Sequence, residues 1–241
     1  MSALNRYAQI STNLPREFCL LQGTGCRWAR CTYCDYHNDT SADPFAVNAP
    51  VLAQVTGAFG VLDIINSGSC TELDGQTIAE IAKVIRAKNI HTIWFEAHYM
   101  LRDKLPAFAA QFAGATVKFR TGIETFDGAQ REAWRKGIPS HVTAEEIAAA
   151  FDGVCLLIAI EGQSKESVSR DIELALAHFE YASINAFVEN STGLRRDEDM
   201  VAWFEQKWLP ILKDHSKIEI LLHNTDLGVG QTIPIPPTTN K

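Results

Sequence analysis

Phe18-Cys19-Leu20-Leu21-Gln22-Gly23-Thr24-Gly25-Cys26-Arg27-Trp28-Ala29-Arg30-Cys31-Thr32-Tyr33-Cys34-Asp35-Tyr36-His37 begins as an apolar run and turns at once into a polar loop with three cysteines. A short apolar run closed by glycine and polar residues reads as a buried strand ending in a loop. Three thiols packed this closely after a strand can converge on one metal centre.

The same rhythm repeats along the chain. Candidate strands at 18–21, 61–65, 92–95, 116–120, 154–160, 184–188 and 218–222 alternate with candidate helices near 46–58, 75–87, 105–112, 127–136, 143–151, 165–179 and 197–212. Such alternation argues for βα units and a parallel sheet. Thr143 and Glu146 fit a capping box, and Asp74 precedes a run with Ile78, Ile81, Ala82 and Ile85 on one face. We expect one domain over residues 1–228 and a flexible Pro- and Thr-rich tail over 229–241.

In parallel βα folds the functional groups gather where strands end. Those ends carry Asn66-Ser67-Gly68-Ser69, Glu96-Ala97-His98, Arg120-Thr121-Gly122-Ile123-Glu124, Glu161-Gly162-Gln163 and Glu189-Asn190. A formal charge of -7 argues against a general affinity for nucleic-acid phosphates. No apolar run is long enough to span a membrane, and residues 1–13 lack a secretory apolar stretch, so the expected compartment is the cytoplasm. In that reducing setting cysteines serve as ligands, catalytic groups or buried thiols rather than disulfides. Cys19, Cys70 and Cys155 stand alone and read as buried small hydrophobes.

Two metal readings fit Cys26, Cys31 and Cys34. With His37 they make a closed Cys3His zinc site, the mark of a non-catalytic interaction module. Without it they hold three irons of a [4Fe-4S] cluster and leave the fourth open.

The segment resembles the cluster loop of radical S-adenosylmethionine (SAM) enzymes, in which three cysteines follow the first barrel strand and an aromatic residue precedes the last. This chain has four and then two intervening residues where the family usually has three and then two. Further resemblances, in order, are Asn66-Ser67-Gly68-Ser69 to the family's glycine-rich turn, Thr121 to Asp127 to its post-fourth-strand segment, and Ile160 to Ser164 to its fifth-strand segment. The resemblance implies a partial (β/α)6 barrel of the TIM type, with a [4Fe-4S] cluster and SAM as cofactors. It also implies metal ligation by Cys26, Cys31 and Cys34, and SAM contacts from Tyr33, Asn66, Ser67, Gly68, Ser69, Glu124 and Glu161. His37 is then no ligand, and an electron donor such as flavodoxin or ferredoxin reduces the cluster. The implied chemistry is reductive cleavage of SAM to a 5'-deoxyadenosyl radical that abstracts hydrogen.

The wording around Cys26 is most similar to a subgroup acting in 7-deazaguanine metabolism, the queuine lyases, which release 7-aminomethyl-7-deazaguanine from queuine. A small free base is therefore the expected substrate, with radical modification of a tRNA base or another nucleoside as the alternative. Glu96, His98, Arg120, Asn185, Phe187 and Glu189 are the candidate substrate contacts: a carboxylate opposite an aromatic wall suits the adjacent N–H groups of a guanine-like base. Asn185 is expected on a polar face of its strand and Phe187 on the core face. The alternative for each is a salt link or packing contact that braces the barrel rim.

Overall fold

The computed structural model describes residues 4–12 and 14–230. Eight strands form one sheet in chain order: β1 (Tyr7–Ile10), β2 (Arg16–Leu21), β3 (Val61–Asn66), β4 (Thr92–Glu96), β5 (Thr116–Glu124), β6 (Gly153–Ile158), β7 (Tyr181–Ala186) and β8 (Ile218–Leu221). From β2 to β8 every neighbouring pair is parallel. Six βα units followed by β8 give the expected partial barrel. The helices are α1 (Pro44–Leu52), α2 (Gly75–Ala87), α3 (Leu105–Ala109), α4 (Gly128–Ala133), α5 (Ala144–Ala148), α6 (Lys165–His178), α7 (Glu198–Lys207) and α8 (Leu209–Leu212).

Strand β1, which pairs antiparallel with β2, has no counterpart among the expected elements. Its residues, Tyr7-Ala-Gln-Ile10, are too few and too mixed to show an alternating pattern. The expected helix over 197–212 divides at Trp208, because Pro210 offers no N–H and its ring crowds the preceding turn. Strand β6 ends two residues earlier than expected, at a left-handed Ala159 (φ 64). The two helix starts read from sequence are present: Asp74 accepts from the Thr77 N–H, and Thr143 and Glu146 form the capping box.

One sheet face packs on the helices. Cys19, Leu21, Ile64, Ile93, Phe95, Val154, Leu156 and Ile184 face outward with Ile81, Ile85, Ile147, Ile172 and Phe204 of the helices in a single core. Cys70 joins this core, so Cys19 and Cys70 are the buried small hydrophobes that were expected. The residues between them in the two-residue period face the barrel interior.

That interior holds a buried ionic network beside apolar side chains such as Phe18. Asp63 accepts from Arg16 Nε at 2.8 Å and from Arg120 Nη1 and Nη2 at 2.9 and 2.7 Å. Arg16 reaches on to Glu219 at 2.7 Å, and the Tyr181 hydroxyl donates to Glu219 Oε2 at 2.8 Å. Strands β2, β3, β5, β7 and β8 are thereby tied together across the interior. Beyond β8, Val229 is buried and the Gly230 N–H donates to Asn5 O at 2.8 Å. The expected tail thus begins in packed structure, and its residues 231–241 lie outside the described residues.

Burial by itself would push the Asp63 carboxyl up, but Arg120 and Arg16 hold it below the usual carboxylate range. Asp63→Ala leaves two buried guanidiniums unpaired and should cost about 3–5 kcal/mol, read as a lower urea midpoint.

Candidate active site

The strand ends converge on one mouth, and the cysteine loop after β2 is clasped onto it by neighbouring turns. The Gly23 N–H donates to Ser67 Oγ at 2.9 Å, and the His98 N–H to Ser69 Oγ at 3.0 Å. Glu72 spans the loop: its carboxylate takes the Ser69 N–H and the Arg27 N–H, both at 2.6 Å. A Cβ on Gly68 would stand 2.8 Å from Gly25 O and 3.2 Å from Cys26 Cα, so only glycine lets this turn approach the loop so closely. Trp28 fixes the other side. Its indole N–H donates to Arg135 O at 2.7 Å, and its ring stacks on His98 at 5.8 Å between centroids. A Cβ on Gly137 would come within 2.4 Å of that ring.

Cys26, Cys31 and Cys34 are all free and partly exposed. Cys31 and Cys34 pack on an apolar cluster of Tyr33, Trp134, Ile160 and Phe187. Among the described residues no three His, Cys, Asp or Glu side chains converge on a single-ion site. A four-iron cluster asks for a different geometry, since each thiolate meets its own iron. His37 sits in a separate turn spanning Tyr36–Asn38.

Beneath the loop lies a buried polar group. Glu124 Oε1 accepts from Lys136 Nζ at 2.7 Å and from the Tyr33 hydroxyl at 3.1 Å. Burial alone would lower the pKa of Lys136, but Glu124 and Cys31 raise it, so the ammonium is held charged. The carboxylate folds back over Gly122, where a Cβ would stand 2.6 Å from Oε1. Glu124 pays for this placement with a left-handed backbone (φ 66) beside a bulge in β5. Gly122, Lys136, Glu72 and Trp28 were not singled out as site residues from the sequence. Lys136 and Glu72 are ordinary helix-end and loop charges until the fold brings them to Glu124 and to the cysteine loop.

Asn66 is buried and its Oδ1 has no partner, while its Nδ2 donates to Ser69 O at 3.2 Å. Asn185 Oδ1 is likewise unpaired. Glu96 lies on the inward side of β4, yet its side chain keeps 35% exposure, so it looks into open interior space. Arg120 Nε stands 3.6 Å away and Cys155 Sγ 3.8 Å away. Burial raises the Glu96 carboxyl, with Arg120 opposing and Glu124 adding to the rise.

The remaining candidates fall elsewhere. Arg120 is committed to Asp63 in the barrel floor. His98 spends both ring nitrogens on backbone: Nε2 donates to Lys136 O at 2.6 Å and Nδ1 accepts from the Met100 N–H at 3.2 Å. Phe187 shares a side with Asn185, two residues away, and is buried against Tyr33 and Trp134 at the mouth. The expected split between a polar and a core face is therefore not what the chain does. Glu189 is exposed and pairs with Arg195 at 3.2 Å. Glu161 is exposed, and among the described residues its carboxylate meets none of the Glu124 group.

Among solved structures, queuine lyase from Clostridium spiroforme bound to SAM and queuine matches with a TM-score of 0.90 at 38% identity, over 95% of this chain and 100% of that one. The chain belongs to the queuine lyase family. No family model matches it, and no curated protein does. No helix among the described residues is long and apolar enough to cross a membrane.

Burial, with the Lys136 ammonium nearby, pushes the His98 imidazole down from 6.5 to about 4. In that window the unfolded chain binds the proton and the folded chain does not, so this contribution is complete above 6.5 and is lost as pH falls toward 4. Stability measured by urea titration should consequently depend less steeply on pH in His98→Gln than in the parent across this range.

Proposed function

We propose that this chain is a radical SAM lyase that cleaves queuine to 7-aminomethyl-7-deazaguanine. The observation that carries the reading is full-length agreement with a queuine lyase bound to SAM and queuine, in a chain whose three cysteines share one clasped loop. Cys26, Cys31 and Cys34 would hold a [4Fe-4S] cluster, their soft thiolates being the donor type that iron–sulfur clusters take. The chemistry such a cluster would supply together with SAM is a 5'-deoxyadenosyl radical, able to abstract hydrogen from an unactivated carbon.

The protein's own work is orientation and exclusion of water. Asn66 Oδ1, buried and without a partner, is suited to accept from the SAM amino group, and Gly68 lets its turn press against the cysteine loop. Ser67 and Ser69 each accept from a backbone N–H, so they hold the turn while their hydroxyl protons remain to be donated to a ligand. Glu124 has its charge balanced by Lys136 and fixes Tyr33 at the mouth. Tyr33 and Phe187 form an aromatic wall at the mouth, and Glu96 lies inside the barrel. We assign Glu96 to the adjacent N–H groups of the deazaguanine ring, with Asn185 as a second polar contact. Six free cysteines fit a reducing compartment such as the cytoplasm, where flavodoxin or ferredoxin would serve as electron donor.

Protein purified without air should be brown and carry about four irons per chain, as a [4Fe-4S] cluster requires. With dithionite and SAM it should convert queuine to 7-aminomethyl-7-deazaguanine. Colourless protein holding one tightly bound zinc would sink the reading, and turnover of tRNA but not of queuine would replace the substrate. Glu96→Gln keeps the size but not the charge of its acceptor and should raise KM for queuine about tenfold or more. In the parent, that KM should climb as pH falls and Glu96 takes up a proton, whereas the variant should show no such climb.

A further inference from the structure

Three exposed arginines surround the cysteine loop without an acidic partner among the described residues. Arg27 and Arg30 fall between Cys26 and Cys31, and Arg135 follows α4. Arg6, Arg16, Arg120, Arg195 and Arg196 pair with carboxylates, and the exposed Arg86 and Arg170, which have no ion pair among the described residues, lie singly on α2 and α6 rather than in a cluster. The Arg30 guanidinium lies 5.2 Å above the Trp28 ring. Trp28, Arg30, Arg135 and Gly137 line a surface groove of about 570 Å³, whose single acidic lining residue is Glu132. The platform is rigid, because Trp28 is bonded to Arg135 O and seated on Gly137.

The chain as a whole carries -7, so this rim stands out against an acidic surface. A local cationic edge on such a background steers an acidic protein to one place and repels it from the others. Arginine and tryptophan beside a groove are also the residue types that dominate protein–protein binding energy. A nucleic-acid track would need a longer basic stripe than three arginines interrupted by a glutamate.

We propose that this rim is the docking surface for an acidic one-electron carrier protein. The inference rests on the cluster reading given under Proposed function. One electron leaves the carrier's flavin or iron–sulfur group and lowers the cluster's charge state by one, with no bond made or broken. Docking against Arg27 and Arg30 places the carrier on the very loop that holds the cluster's ligands, which keeps the transfer path short.

The test uses cluster-loaded protein and follows bleaching of the cluster's absorbance by stopped flow, once with photoreduced flavodoxin and once with dithionite. In the Arg30→Glu/Arg135→Glu double variant, bleaching by flavodoxin should slow roughly tenfold or more and lose its dependence on salt. Bleaching by dithionite should match the parent. Arg30→Gln/Arg135→Gln, which removes charge without reversing it, should give an intermediate slowing. Equal flavodoxin rates in the parent and in either cluster-loaded variant would overturn the proposal. So would loss of tRNA retention in a gel shift with flavodoxin rates intact. Failure of the parent to bleach even with dithionite would sink the cluster reading itself, which distinguishes the two failures.

Discussion

Asp63 is a carboxylate at the centre of the barrel, fully enclosed and clamped between Arg16 and Arg120. A charge in that position is tolerable only while both guanidiniums stay in place. Because Arg16 also reaches Glu219, the clamp draws β2, β3, β5 and β8 toward one another across the interior. The sheet is held curled, and its strand ends share one mouth.

Convergence at the mouth is completed by close approach rather than by charge. Gly68 against Cys26, Gly122 under Glu124 and Gly137 under Trp28 are three places where an added methyl group would collide with the site. Each brings backbone or a ring to within contact of a functional segment. The loop that carries the cysteines is thus fixed on both flanks, by Glu72 and by Trp28. Its position does not depend on the thiols alone.

Electrostatics then divides the molecule into three zones. The floor is a set of ion pairs around Asp63 that reaches Glu96 through Arg120. The middle holds Glu124 and Lys136 as a balanced pair, with Glu96 facing open space and its carboxyl raised by burial. The rim carries arginines without acidic partners among the described residues, Arg30 lying over the Trp28 ring. The balanced pair supports the loop without adding net charge. Glu96 keeps part of its side chain exposed, and the outer arginines stay at the surface.

The sequence by itself determined the α/β class, the seven segments that become the parallel strands, the capped starts at Asp74 and Thr143, and the crowding of Cys26, Cys31 and Cys34 in one loop. Those features are local: a two-residue or helical period, a capping side chain, a cluster of thiols within one loop. It did not reveal β1, whose four residues acquire strand character only by pairing with β2. Nor did it distinguish Glu96, which faces the interior space, from Arg120 and His98, which are spent on Asp63 and on backbone. Only the tertiary structure made those distinctions, because a side chain's partners come from other elements and loops: Lys136 meets Glu124 twelve residues away, and Arg135 meets Trp28 across more than a hundred. Residue type says what a group can do, and burial and neighbours decide whether it remains free to do it.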